Sequence, residues 1–291
     1  MTEEIRQIQE TLTSNPNGHE AFRGLKNHYK KESDWRSLVE LYELYPPSDD
    51  APESMQFSKL ASYLESLIEA TDSKKERGAL LIALGDVYIN HLQRRDDAIS
   101  AYQTSFKVWP KDTLCLERAR NIYMSEQEYD RVVVLYELQS KVLRKMDLTE
   151  DLARNYVSMA EVFGDKLDNP ARALEMLIEA NKADSSVNYP ESFFERIRKH
   201  PAVKARIDQM VQQSAGAAQS NPKEAARLVL RAAHLEHLRA DGEAETAYFY
   251  AEQAIELDGN NTEAQTFMQQ LLDEISSQPD EPSEVEEDEP T

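Results

Sequence analysis

Apolar residues recur at three- and four-residue steps along most of this chain. Two stretches show the pattern twice over, HEAFRGLKNHYKKESDWRSLVELYEL (19–44) and DTLCLERARNIYMSEQEYDRVVVLYEL (112–138). At a constant offset of 94 residues, Phe22 matches Leu116, Tyr29 Tyr123, Trp35 Tyr129, Leu38 Val132, Leu41 Leu135, Tyr42 Tyr136 and Leu44 Leu138. Such spacing puts the apolar side chains on one face of each of two helices, with a short polar turn between them. The predicted unit is an αα-hairpin, and its recurrence predicts a repeat protein.

Between these copies lies LLIALGDVYINHLQRRDDAISAYQTSFKVWP, with Leu81-x2-Leu84-Gly85-x2-Tyr88, then Ala98-x3-Tyr102, then Pro110. Here the chain resembles the tetratricopeptide repeat (TPR) family, whose pattern alternates large and small residues so that two helices approach closely, and ends the second helix with proline. Leu81 stands where many members have Trp, and one extra residue enters the turn before Ala98. Ala98 to Val132 and Tyr102 to Tyr136 are both 34 residues, the family's period. The resemblance implies an all-α fold, a right-handed superhelix of antiparallel helix hairpins (a TPR-like α-solenoid), and a protein-binding role.

Looser copies follow. Tyr156, Met159, Ala160, Phe163, Ala173, Leu177 and Ala180 make one, again with a lengthened turn, and Ala247, Ala251 and Ala254 mark the second helix of another. The segments 55–70 and 191–215 break the period and read as atypical helices. Asn169-Pro170 and Asn221-Pro222 place an N-cap before a first-turn proline, and Asp50/Glu53 and Ser73/Glu76 have capping-box form. The expected organisation is an N-terminal helix and first hairpin at 1–45, a proline-rich hinge at 46–52, and central repeats at 53–185. Atypical helices at 186–220, a C-terminal hairpin with a capping helix at 221–275, and a disordered acidic tail at 276–291 complete it.

Composition narrows the function classes. Only 8 of 291 residues are glycine, which disfavours barrels, sandwiches and glycine-cradled nucleotide folds. Lys and Arg total 33 against 54 Asp and Glu, a net charge of −21 that repels nucleic acid and anionic membranes. The one cysteine, Cys115, cannot form an intrachain disulfide, and MTEEIRQIQE lacks a signal-peptide pattern, so a cytoplasmic setting is expected. The apolar run Ala79–Leu84 is far shorter than the roughly 20 residues that span a bilayer, so no membrane insertion is expected.

No two glycines lie closer than six residues, so GxGxxG and GxxxxGK cannot occur, and GxSxG, HExxH and CxxC are absent too. No catalytic residue, metal or cofactor is expected, and Cys115 and the tyrosines at 29, 42, 88, 102, 123 and 136 read as packing residues. His234 and His237 are spaced for neighbouring helix faces without an identifiable third ligand. Candidate partner contacts are polar stripes. Arg227, Arg231 and His234 follow steps of four and three and are expected to point away from the core as an anion-recognition strip. Arg23, Asn27 and Lys30 form a similar stripe on the first helix, and Asn121 matches Asn27. Family members that clamp peptide carboxylates use such side chains, but the position matching Arg23 in the second copy is Glu117 rather than a basic residue, and Ile82 and Asp86 occupy the corresponding surface between, so a complete clamp is not expected. Arg196, Arg198, Lys199, Lys204 and Arg206 make the most basic local cluster.

The expectation is a scaffold or adaptor that binds a partner peptide or helix. Its alternatives are an adaptor autoinhibited by the acidic tail folding onto the basic strips, an enzyme whose site converges only in three dimensions, and, ranked last on charge, an RNA-processing helical-repeat factor.

Overall fold

The computed structural model describes residues 19–44 and 53–277. The expected helix before residue 19, the hinge at 46–52 and the tail beyond 277 lie outside the described residues. Of those described, 81% are helical and none is in a strand. The chain divides after Met146 into two packed units.

The first unit holds α1 (His19–Lys31), α2 (Trp35–Leu44), α3 (Glu53–Ala70), α4 (Lys74–Asn90), α5 (Arg95–Val108), α6 (Leu114–Ser125) and α7 (Tyr129–Lys145). The second holds α8 (Thr149–Glu161), continued by a π-helical turn Val162–Lys166, then α9 (Pro170–Ala183), α10 (Glu191–Arg198), α11 (Pro201–Ala217), α12 (Pro222–Leu238), α13 (Ala244–Leu257) and α14 (Thr262–Ser277). Each helix packs chiefly on its sequence neighbours, as stacked hairpins require.

Four hairpins share one turn. Ser33, Gln93, Gln127 and Asp168 take left-handed φ values of 55°, 53°, 60° and 47°. The next amide then donates back to the carbonyl of an aromatic residue at the end of the first helix. These bonds run from Asp34 to Tyr29 (2.9 Å), Arg94 to Tyr88 (2.8 Å), Glu128 to Tyr123 (2.9 Å) and Asn169 to Phe163 (2.8 Å). In the first and third the closure spans five residues, the usual helix-terminating geometry. In the second and fourth it spans six. The additional residue is taken up by i to i−5 bonds, Leu92 to Val87 (3.3 Å) and Leu167 to Val162 (3.1 Å), and in α8 it widens the last turn into the π segment. These are the two turns whose sequences are one residue longer than the others.

Helix α4 is buried nearly all round between its polar first turn and Asn90. Leu80 through Gly85, Val87 and Tyr88 are all buried, because α2, α3, α5 and α6 all pack on it. Helix α3, the first period-breaking segment, supplies Phe57, Leu60, Ala61 and Leu64, a stripe at steps of three, one and three that is 0–3% exposed. Against α5, the approach is set by Gly85, where a Cβ atom would lie 2.4 Å from Cε1 of Tyr102.

The second unit closes on small residues. Ala226, Ala233, Ala247, Ala251 and Ala254 are fully buried between α12 and α13, so the helices meet nearly backbone to backbone, and Phe267 and Leu271 of α14 seal the end. Asn169 and Asn221 cap α9 and α12, accepting from the amides of Arg172 (3.2 Å) and Glu224 (3.3 Å) ahead of Pro170 and Pro222. Ser73 likewise caps α4 through the Glu76 amide (3.3 Å), but the Glu76 carboxylate turns to Thr71 (3.0 Å) rather than back to Ser73, so the box is half made.

Candidate functional site

Among the described residues, two surfaces outside the hairpin seams stand out, one in each unit. In the first unit α5 and α7 both pack on α6 and leave a groove of about 500 Å³ between them. Its lining includes Tyr102, Phe106, Cys115, Leu116, Ala119, Tyr123, Leu135 and Leu138, with Val134 on the lip at 53% exposure. Small side chains at Cys115 and Ala119 give it depth. Lys107, Asp130 and Arg131 stand at its edges. Burial pushes the Cys115 thiol up to about 11, so it contributes apolar volume rather than a reactive thiolate.

In the second unit the long side chains of α9, α11 and α12 converge on Glu175, which is 4% exposed. Arg172 Nη1 donates to Oε2 at 2.7 Å, Arg206 Nε to Oε1 at 3.2 Å, and Arg231 Nη2 to Oε2. Farther along, Lys182 bonds Glu263 at 2.5 Å, beside a second pocket of about 440 Å³ that His234 and Phe267 also line.

These positions locate the sequence candidates. Arg227 is well exposed and paired within its own turn to Glu224 (2.7 and 2.9 Å). Arg231 reaches inward to Glu175. His234 does not point away from the core as the stripe predicted. Its side chain is 13% exposed and lies over Phe267, ring centroids 3.9 Å apart, because α14 closes over that end of α12. Its Nε2 sits 3.6 Å from Glu263, beyond hydrogen-bond reach, and burial pushes the imidazole below its ordinary value despite that carboxylate. The His234 imidazole and the Lys182 ammonium in turn hold the Glu263 carboxyl down to about 2. His237 pairs with Glu274 (2.8 Å), so each histidine is directed to its own α14 carboxylate.

In the first unit Arg23, Asn27 and Lys30 are exposed on α1, and Lys30 Nζ lies 5.3 Å from the Tyr63 ring of α3. Asn121 is exposed on α6, while Ile82, the intervening position on α4, is 6% exposed. The basic cluster at 196–206 is internally paired: Arg196 with Asp165, Arg198 and Lys199 with Glu195, Lys204 with Asp208, Arg206 with Glu175. Sequence reasoning did not single out Glu175 or Arg172. A glutamate at an otherwise apolar-facing position of AlaLeuGluMetLeu (173–177) was the available signal.

No protein-family model matches the chain, and no curated protein matches it. Among solved structures it is similar to BtubC (BKLC) from P. vanneervenii, at 12% identity over 97% of this chain and 91% of that one, with a TM-score of 0.35. It is also similar to the C-terminal part of a TPR repeat-containing protein from Cytophaga hutchinsonii, at 14% identity over 84% of this chain and 98% of that one, with a TM-score of 0.28. The all-α assignment rests on the helices themselves.

Proposed function

We propose that this chain is a TPR-type helical-repeat scaffold, without catalytic activity of its own, that binds a peptide or helix of a partner protein. The observation that carries the reading is the open apolar groove between α5 and α7. A surface of this kind is retained where a partner's apolar side chains fill it. The shared hairpin turn and the Gly85–Tyr102 contact support a TPR-type repeat. A net charge of −21 and a lone buried cysteine support a cytoplasmic protein partner over nucleic acid. The polar clusters of the second unit are held in ion pairs between helices, which supports binding rather than turnover as their use.

The test is site-specific photocrosslinking in cells. A benzophenone side chain at position 134 should capture a discrete protein that the same probe at Glu245, exposed on α13, does not. The crosslink should disappear with Leu138→Glu in the groove while the circular dichroism stays native. Equal capture at both positions would remove the groove from the argument.

A further inference from the structure

The ion pairs around Glu175 are out of balance. A carboxylate that is 4% exposed needs a counter-charge, and one guanidinium supplies it. Three are present, from α9, α11 and α12. One turn away on α12, Arg227 pairs with Glu224, so among the described residues four guanidiniums bond two carboxylates, an excess of two positive charges over the acids they bond. This happens in a chain whose net charge is −21.

The guanidiniums also keep donors to spare. Arg172, Arg206 and Arg231 have side chains 30%, 25% and 29% exposed, so each is anchored on Glu175 and still reaches solvent. A guanidinium carries five N–H donors in a planar fork. Glu175 receives one from each arginine, and Gln209 takes one more from Arg206 (2.7 Å). The shared carboxylate thereby fixes three forks at one spot at little further entropic cost, which is the preorganisation that anion recognition needs.

We propose that Arg172, Arg206 and Arg231, gathered on buried Glu175, form a receptor for a phosphomonoester dianion carried on a phosphorylated Ser or Thr of a partner peptide. A phosphomonoester carries about −1.5 to −2 at neutral pH, which matches that excess of two positive charges, whereas a carboxylate would neutralise only one. The chain's net charge favours a peptide over a membrane or nucleic acid. An extended anionic surface meets the whole acidic molecule, while a single phosphate approaches within the roughly 8 Å screening length of the arginines. The proposal uses the partner-binding reading only for the source of the phosphate. The groove lies in the other unit, so the two can fail separately.

The experiment titrates the full chain with acetyl-Ala-Ala-pSer-Ala-Ala-amide, its unphosphorylated twin and inorganic phosphate, followed by 31P NMR and calorimetry at low salt. The phosphopeptide should bind about tenfold or more tightly than its twin, inorganic phosphate should compete, and the affinity should fall steeply as salt rises. Arg206→Gln should weaken binding about tenfold, and Leu138→Glu in the groove should leave it unchanged. Because Arg231→Gln leaves a buried carboxylate short of a partner and can unfold the unit, Glu175→Gln serves as the second variant. It removes negative charge from the site, so phosphate should raise its thermal midpoint more than it raises that of the parent chain. The assignment is overturned by any of four results: no binding of the phosphopeptide, equal binding of the unphosphorylated twin, undiminished binding in a natively folded Arg206→Gln, or binding of phosphatidylserine vesicles in place of the phosphopeptide.

Discussion

Gly85 offers the sharpest test of the hairpin geometry, because two effects of known sign compete there. No described glycine has a positive φ, so Gly85 is not needed for backbone freedom. In the middle of a helix, replacing it by alanine should gain about 1 kcal/mol of propensity. Its Cβ, however, would sit 2.4 Å from Cε1 and 2.8 Å from Cδ1 and Cζ of Tyr102. That ring is 2% exposed and its hydroxyl is tethered to Asp86 at 2.7 Å, so it cannot swing aside. Overpacking of this kind costs about 1 to 3 kcal/mol, so Gly85→Ala should come out destabilised despite its propensity, and Gly85→Leu by about 3 kcal/mol or more. With a urea m value of about 2 kcal/mol/M for a unit of this size, the leucine variant should lose about 1.5 M in its midpoint. Trp35 and Trp109 are the chain's only tryptophans and both belong to the first unit, so their fluorescence reads that unit alone. Gly216 is the control. Nothing lies within 4 Å of its Cβ position, so Gly216→Ala should stabilise the second unit by about 1 kcal/mol, followed by circular dichroism. In a Tyr102→Ala background the Gly85→Ala penalty should vanish. An unchanged or raised midpoint for Gly85→Ala in the parent chain would refute the close approach.

Three further outcomes follow from the turns, the caps and the buried histidine. Gln127→Gly should stabilise the first unit by about 1 kcal/mol, seen as a higher fluorescence midpoint, because a non-glycine residue at φ 60° carries a steric penalty that glycine lacks. Asn169→Ala should destabilise the second unit by about 1 kcal/mol, seen as a lower thermal midpoint, through loss of the bond to the Arg172 amide. His234 is held below its ordinary value in the folded state, so the unfolded chain binds the proton first and acidification from pH 7.5 towards 5 should lower the thermal midpoint of the second unit. His234→Gln should flatten that dependence. Glu263, held near 2 by His234 and Lys182, adds a further loss that begins only below about pH 4.5 and continues to its folded value.

The parts of the fold that were legible in sequence are those where one residue's environment depends on its own helix. Tyr156, Met159, Ala160, Phe163, Ala173, Leu177 and Ala180, aligned on spacing alone, are all buried at 7% or less. Extra residues before Ala98 and Ala173 became extra residues in turns because the hairpin seam fixes the helices and leaves the turn to adjust. His234 was misread for the complementary reason. Its three-and-four spacing from Arg227 and Arg231 describes α12 correctly, but α14 arrives from 28 or more residues later in the chain and covers that end. Glu175 carried a local signal as a glutamate on an apolar face, but its partners Arg206 and Arg231 are 31 and 56 residues away and could not be read from its own helix. Local periodicity gives a helix its faces, and only packing decides which faces are shared.

The two surfaces stand apart from the local pairing that many of the helices show. Many arginines meet an acid within one turn of their own helix, as Arg36 does with Glu40, Arg94 with Asp97, Arg154 with Glu150 and Asp151, and Arg239 with Glu236, and a few, such as Arg118 with Asp86, reach singly across to another helix. Such pairs cancel locally and contribute little to stability where they are exposed. With acids so much in excess over bases, unbalanced negative charge is the expected residue of that arrangement, and unbalanced positive charge is not. Around Glu175 three helices each direct an arginine at one acid, which no helix achieves by its own i,i+4 pairing. The groove departs in the same sense, since seams elsewhere close on alanine or on a large residue set against a small one, yet Val134 stays outside any seam. A repeat protein's stability comes from the positions that obey the repeat, so the side chains that do not obey it are the ones free to choose a partner.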